Sequence, residues 1–128
     1  MIDTMRLLLD THAFLWWRGQ PDRLRETTKH AIKEAQVVFV SVASAWEIGI
    51  KQALGRLVLP GPVEEGVRDS GFEKLAITFA HAQRATALPM HHGDPFDRML
   101  VAQAQAEELT LVTNDQQVRS YDVAILRA

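Results

Sequence analysis

Short, mostly apolar segments that alternate with helical segments constrain the fold of this chain most strongly. Leu7-Leu8-Leu9, Val37-Val38-Phe39-Val40 and Leu109-Thr110-Leu111-Val112 have the length and composition of strands that are buried on both faces, as in a parallel sheet. Segments with helical periodicity lie between them. This alternation predicts βαβ units, whose right-handed crossovers place helices on both faces of the sheet. We therefore expect an α/β fold, a three-layer α/β/α sandwich around a central, mostly parallel five-stranded sheet.

The periodicity and the turn residues give approximate bounds for each element. The strands are expected at residues 6–10, 37–41, 73–77, 109–113 and 122–126. The helices are expected at residues 11–17, 22–36, 44–54, 63–70, 78–87 and 96–107, with one helical turn at 115–119. Gly55 and Pro89 are typical helix stops.

Length and composition are those of one soluble domain. The 128 residues are 47% hydrophobic and 23% charged, and we expect residues 1–128 to form a single domain with its own core. No apolar run has transmembrane length, and residues 1–6 lack the basic start of a signal peptide, so we expect neither a membrane span nor a leader. The absence of cysteine excludes disulfides and fits a cytoplasmic location. The net charge of −2 argues against a broad basic nucleic-acid binder but not against a nuclease.

Four acidic residues follow a predicted strand or open a predicted helix: Asp10, Glu47, Asp97 and Asp115. In a parallel sheet, the carboxyl ends of strands and the starts of the following helices share the edge where ligands bind. Carboxylates gathered there repel by roughly 4 kcal/mol per close pair at an effective dielectric of about 20. Divalent cations with oxygen ligands remove that cost, so the four acids predict a catalytic Mg²⁺ or Mn²⁺ site of the kind that acts on phosphate esters.

Each of these acids also has a purely structural explanation. Asp10 and Asp115 stand where helix caps or turns are expected. Ser44 and Glu47 match the capping box S-x-x-E. Asp94 precedes a proline and is the better cap of the pair Asp94 and Asp97, so we assign the metal role to Asp97 and a supporting role to Asp94.

The histidines near these acids suggest zinc only weakly. His12 lies two residues after Asp10, and His91 and His92 precede Asp94. Zinc sites usually take three or four nitrogen or sulfur ligands at recognisable spacing, which this chain lacks. Exposure in a loop is the simpler explanation for His91 and His92.

Arginine and tryptophan side chains leave alternatives open. Arg98 either clamps a phosphate or pairs with Asp94. Trp16, Trp17 and Trp46 belong either to the core or to a surface that docks a partner. A groove formed by Phe14 to Trp17 with Trp46 and Ile50 would suit an amphipathic helix.

Taken together, these motifs resemble the PIN-domain ribonucleases, specifically the VapC-type toxins of bacterial toxin–antitoxin pairs. The resemblance covers nearly the whole chain, and its most specific stretch runs from Asp94 to Ala104. The other matching segments are Leu8 to His12, Ser41 to Glu47 and Val112 to Asp115. The chain departs from the family pattern at His12, where members often carry a small polar residue.

The resemblance implies a fold, an activity and partners. It implies that Asp10, Glu47, Asp97 and Asp115 bind one or two Mg²⁺ or Mn²⁺ ions and that the protein hydrolyses phosphodiester bonds in RNA. It also implies a homodimer and an antitoxin whose C-terminal segment covers the cleft. In such metal-assisted hydrolysis the ion generates the nucleophile from water. Thr11, Thr113, Asn114 and Arg98 are expected as supporting residues that orient the carboxylates or hold water.

Three other functional classes compete with this interpretation. An aspartate-based phosphatase also places an Asp after its first strand, but it needs a second Asp where this chain has His12. A phospho-acceptor signalling domain needs an acceptor Asp where Ser41-Val42 stands. A catalytically silent PIN-fold binding module is the non-enzymatic alternative, and all four acids argue against it.

Overall fold

The computed structural model describes residues 4–128 and contains one five-stranded sheet in which every pairing is parallel. The strands are β1 (Arg6–Leu9), β2 (Val37–Ser41), β3 (Glu73–Leu75), β4 (Thr110–Thr113) and β5 (Ile125–Arg127). Their order across the sheet is β3-β2-β1-β4-β5. The predicted α/β/α fold is therefore confirmed. Residues 1–3, part of the segment that argued against a leader, lie outside the described residues.

Six α-helices connect and cover the strands in the part of the chain that the structure describes. They are α1 (Thr11–Gly19), α2 (Glu26–Glu34), α3 (Val42–Ala53), α4 (Val63–Asp69), α5 (Phe79–Ala87) and α6 (Pro95–Glu107). Two single 3₁₀ turns lie at Pro21–Arg23 and Val118–Ser120. None of the helices within residues 4–128 has the length and apolar character that a membrane crossing requires.

Alternation along the strands divides the core into two layers. Leu7 and Leu9 of β1 pack with Phe14 of α1 and Ile32 of α2 on one face of the sheet. Leu8, between them, packs on the other face with residues of α6, β4 and the last 3₁₀ turn. All three leucines are fully buried, as expected of a central parallel strand covered by helices on both sides.

Several predicted boundaries are wrong. The third strand ends at Leu75 rather than at residue 77, and the helical turn expected at 115–119 is the 3₁₀ turn Val118–Ser120. Two other differences have a clear local cause. The helix expected over residues 22–36 is interrupted because Pro21 opens a 3₁₀ turn and Leu24 then leaves the helical region, with φ −88° and ψ 145°. The third helix begins at Val42 rather than residue 44, because the Ser41 hydroxyl accepts a hydrogen bond from the Ala43 N–H and caps it. The last strand is shorter and later than predicted, at Ile125–Arg127.

The strand order fixes where a site can form. The chain adds β2 and β3 on one side of β1, then crosses to add β4 and β5 on the other side. Beyond the carboxyl ends of β1 and β4, the connections therefore diverge and leave a crevice, the usual ligand position in open α/β sheets. Asp10 follows β1 directly, and Asp115 stands two residues after β4.

Candidate metal centre

An acidic cleft of about 380 Å³ opens at this crevice and brings the four predicted acids together. Asp10, Glu47, Asp97 and Asp115 all line it. Asp94 and two polar residues, Thr11 and Asn114, also line the cleft. The remaining lining residues have aromatic or basic side chains: His12, Trp16, Lys51 and His92. Elements far apart in sequence thus supply one site, as the strand order requires.

Asp10 lies at the buried base of the cleft. Its Oδ1 accepts a hydrogen bond of 2.7 Å from the Ala13 N–H, so it caps α1, and its side chain also receives a hydrogen bond from Thr113. The Thr113 hydroxyl in turn accepts the Asp115 N–H at 3.0 Å. The capping explanation is therefore correct, and it does not compete with a metal role because a carboxylate has further lone pairs.

Glu47 projects from the middle of α3 rather than from its first turn. The capping box predicted for Ser44 and Glu47 is wrong, since Ser41 caps this helix. The Glu47 Oε1 accepts a 2.6 Å hydrogen bond from the Thr11 hydroxyl, and Oε2 lies 3.2 Å from the Lys51 ammonium. Thr11 therefore orients a carboxylate, as predicted for a supporting residue.

Asp94 is the cap of α6, as predicted, and Asp97 faces the cleft. Asp94 caps α6, because its Oδ1 accepts the N–H groups of Phe96 at 2.8 Å and Asp97 at 3.3 Å, with Pro95 in the first helical position. The Asp97 carboxylate is left free of backbone bonds and lies in the cleft, where its Oδ2 is 3.0 Å from His92 Nε2.

His92 is the site residue that the sequence interpretation undervalued. Its Nε2 lies 2.9 Å from Asp115 Oδ2 and 3.0 Å from Asp97 Oδ2, while Nδ1 accepts the Asp94 N–H at 3.2 Å. An accepting Nδ1 places the proton on Nε2, which then donates to both carboxylates. The ligand atoms of His92, Asp97 and Asp115 lie within 4.8 Å of one another. Its position two residues before the helix cap Asp94 was the available signal.

Arg98 plays neither of the roles that the sequence left open. Its guanidinium is buried and donates to the carbonyl oxygens of Ala85, Leu88 and Pro89 at 2.9, 3.1 and 3.0 Å. It also donates to the Tyr121 hydroxyl at 3.1 Å. Arg98 therefore stabilises the loop before α6. It is neither a phosphate clamp nor a partner of Asp94.

Burial and mutual repulsion shift the titration of these groups. Burial, followed by the charges of Asp94 and Asp10, raises the pKa of Asp97 to about 7. Burial also raises the pKa of Asp10, against the opposing hydrogen bond from Thr113. At Asp115 burial is outweighed by the hydrogen bonds from His92 and the Gln117 N–H, which lower its pKa. At His92 burial is outweighed by Asp115, Asp97 and Asp94, which raise its pKa.

These shifts predict a pH-dependent stability in the absence of metal. The folded protein binds the Asp97 proton more tightly than the unfolded chain, where Asp titrates near 3.9. The free energy of unfolding should therefore fall as pH rises from about 4 to about 7, by about 2–4 kcal/mol at roughly 1.4 kcal/mol per pKa unit. The raised pKa of His92 acts in the same direction above pH 6.5.

Urea unfolding in EDTA between pH 4.5 and 7.5 checks this, with Asp97→Asn as the matched variant. Asp97→Asn should flatten the profile. A wild-type profile parallel to that of the variant would show that Asp97 does not hold the proton.

The donor set fits a hard divalent cation. Carboxylate oxygens predominate, as Mg²⁺ and Mn²⁺ require, and the imidazole of His92 is better suited to Mn²⁺ than to Mg²⁺. The pKa values of Asp10 and Asp97 are raised because burial disfavours the ionised carboxylates. A bound cation would offset that cost. The ligand atoms of His92, Asp97 and Asp115 are close enough together to contact one cation, and Asp10 lines the same cleft.

A parallel α/β/α sandwich with acidic residues at this edge is the plan of a known nuclease-like family. The sequence profile of the PIN domain matches residues 7–124, and the chain belongs to the PIN-domain family. It is 33% identical over 118 residues to ribonuclease VapC22 of Mycobacterium tuberculosis, a match that covers 90% of this chain and 91% of that protein.

Solved structures with the same fold come from toxin–antitoxin systems. VapBC2 of Rickettsia felis, bound to a DNA fragment of its promoter, matches 95% of this chain and 98% of that chain with a TM-score of 0.71 and 15% identity. FitAcB of Neisseria gonorrhoeae matches 94% of this chain and 96% of that chain with a TM-score of 0.67 and 17% identity. At these identities the likeness establishes the fold.

Proposed function

We propose that this chain is a metal-dependent endoribonuclease that acts as the toxin of a type II toxin–antitoxin pair. The observation that carries the proposal is the cleft itself, where four acids from separate elements converge in a PIN fold and where the pKa values of Asp10 and Asp97 are raised. The identity with ribonuclease VapC22 supports RNA as the substrate. We take residues 1–128 as one nuclease domain that works in the cytoplasm.

The cation is proposed to be Mg²⁺ or Mn²⁺, held by the four acids that line the cleft, Asp10, Glu47, Asp97 and Asp115. When bound, it supplies an activated water and stabilises the leaving oxygen. The chain's own residues set the geometry: Thr11 fixes the Glu47 carboxylate, and Thr113 joins Asp10 to the Asp115 backbone. His92 donates to Asp97 and Asp115 and keeps their oxygens facing one another. Lys51 is near enough to offset part of the negative charge that an RNA phosphate meets.

The antitoxin partner is proposed to bind in a groove beside α1. A groove of about 300 Å³ runs between α1 and residues 59–69, with mainly apolar walls that include Phe14, Leu15, Leu59 and Val63. An apolar groove is the kind of surface into which an amphipathic helix lays its apolar face. Of the residues predicted to form the groove, only Phe14 and Leu15 line it. Trp16 lines the acidic cleft instead, Trp17 packs against Phe72, and Trp46 and Ile50 lie on α3.

A homodimer is proposed through α3. Val42, Trp46, Ile50 and Leu54 stand four residues apart and are all exposed, and Trp46 is 64% exposed. An apolar row of this length on a helix is unusual on a monomer and marks an association surface.

Growth of a heterologous bacterium tests the toxin proposal. Induced expression of the chain should arrest growth and produce RNA fragments, while Asp97→Asn at equal soluble expression should not. Co-expression of the antitoxin encoded by the neighbouring gene should restore growth. Normal growth with intact RNA at confirmed wild-type expression would contradict the toxin assignment.

A further inference from the structure

Three planar side chains stack beside the acidic cleft, with Trp16 in contact with both His12 and Arg23. The His12 ring lies 5.9 Å from the Trp16 ring between centroids, at an interplanar angle of 24°. The Arg23 guanidinium carbon lies 4.8 Å from the centroid of the Trp16 ring. His12 and Trp16 both line the cleft that holds Asp10 and Asp97.

The metal-centred chemistry does not explain this stack. Within residues 4–128, His12 has no hydrogen bond or ion pair with any of the four acids, whereas His92 bonds two of them. Arg23 likewise forms no ion pair with a carboxylate in the described chain, so its charge is not used to hold the fold together. His12 and Arg23 are exposed. Trp16 is half-buried and packs against the core, which fixes the position of its ring.

We infer that His12, Trp16 and Arg23 form a stacking platform that holds one unpaired RNA base beside the scissile phosphate. This inference rests on the proposed ribonuclease function. The exposed His12 ring extends the stack toward the carboxylates, so a base that lies on it brings its own phosphate to the cleft. Proteins that bind single-stranded RNA use aromatic rings and guanidinium planes in this way, since every base has a π-face.

The chemistry of the stack favours a nucleotide over a protein side chain. An amphipathic helix needs an apolar surface, and this chain offers that in the groove beside α4. The stack instead combines planar rings with a cation, which matches a base attached to a phosphate. It also gives the acidic cleft the nearby positive charge that an anionic substrate requires, together with Lys51.

Binding of short RNAs to the full chain tests the platform. The probes are fluorescein-labelled single-stranded A₁₂ and U₁₂ ribooligonucleotides, and a 12-base-pair RNA duplex, in Ca²⁺ to neutralise the carboxylates. His12→Ala should weaken binding of at least one single strand by about tenfold, while His12→Phe should bind like wild type because stacking needs only a ring. Trp16→Leu should weaken binding similarly. Arg23→Ala should reduce the slope of log K against log salt by about 0.7.

Controls separate this inference from the proposed function. Phe79 is 92% exposed and does not line the cleft, so Phe79→Ala should change nothing. Duplex binding should be unaffected by His12→Ala. In cleavage assays His12→Ala should raise KM for single-stranded RNA with little change in kcat.

Three results would overturn the inference. The first is single-strand binding by His12→Ala equal to that of wild type while the wild type cleaves RNA. The second is failure of His12→Phe together with weakened metal binding, which would make His12 a metal ligand. The third is a loss of antitoxin binding in His12→Ala and Arg23→Ala with RNA binding intact, which would make the stack a protein-docking surface. A wild type that binds neither metal nor RNA would instead refute the proposed function, and the platform with it.

Discussion

Replacing Asp97 by Asn is expected to reduce RNA cleavage by more than about 100-fold while leaving the fold intact. Loss of a residue that only hydrogen-bonds a metal ligand typically costs about 10–100-fold, and loss of the ligand itself should cost more. Asp97 combines a free carboxylate, a place in the cleft and a pKa raised to about 7 by burial and by Asp94 and Asp10. An amide keeps the shape of the side chain but supplies no negative charge to a cation. Single-turnover cleavage and a Mn²⁺ binding isotherm measure the two consequences separately.

Asp94→Asn is the matched control for this prediction. Asn caps helices about as well as Asp, so the bonds to the Phe96 and Asp97 N–H groups should persist and cleavage should fall only partly. An inactive Asp94→Asn beside an active Asp97→Asn would reverse the assignment of the two acids.

Replacing Arg98 by Met is expected to cost about 3–5 kcal/mol in the free energy of unfolding. Arg98 is 9% exposed, and its removal leaves the carbonyl oxygens of Ala85, Leu88 and Pro89 without their donor. Each buried polar group left unpaired costs about 1–3 kcal/mol, and local relaxation or water recovers part of the total. Chemical denaturation with and without metal measures the loss.

The effect of Arg98→Met should extend to the site. Arg98 bonds the Tyr121 hydroxyl, which also accepts the N–H groups of His91 and His92, so the loop that carries His92 depends on this guanidinium. Metal affinity should therefore fall together with stability. Arg84→Met on α5 is the control, since Arg84 is exposed and makes one hydrogen bond of 3.4 Å, and it should change stability by less than about 0.5 kcal/mol. Full stability of Arg98→Met with lost RNA binding would instead support a phosphate clamp.

The centre of the sheet was predictable because its strands β1, β2 and β4 are apolar segments of strand length. The Leu7-Leu8-Leu9 segment is typical of a strand buried on both faces. It forms the central strand, and all three side chains are fully buried from solvent. Parallel pairing then forces Asp10 and Asp115 to one edge, whatever the details of the helices. The helix interruption after Pro21 was not predictable from periodicity, because Leu24 lies on the apolar face in either conformation.

The acids of the site were accessible to sequence reasoning, but two side chains near them were not. The acids could be found because parallel strands bring residues that follow them to one edge of the sheet, whereas no such rule places a histidine in a Gly- and Pro-containing loop. The position of His92 depends on the Tyr121 and Asp94 bonds that fold the loop back onto the cleft. Arg98 was misinterpreted because it follows Asp97 in sequence, although one further step along α6 turns its side chain toward α5 and the loop before α6.

Cleavage of single-stranded RNA by the purified chain, with and without a divalent cation, tests the central claim most directly. We predict cleavage in Mn²⁺ or Mg²⁺, its loss in EDTA, its recovery when cation is restored in excess, and no cleavage by Asp97→Asn under any of these conditions. Undiminished cleavage by the wild type in EDTA would contradict the account.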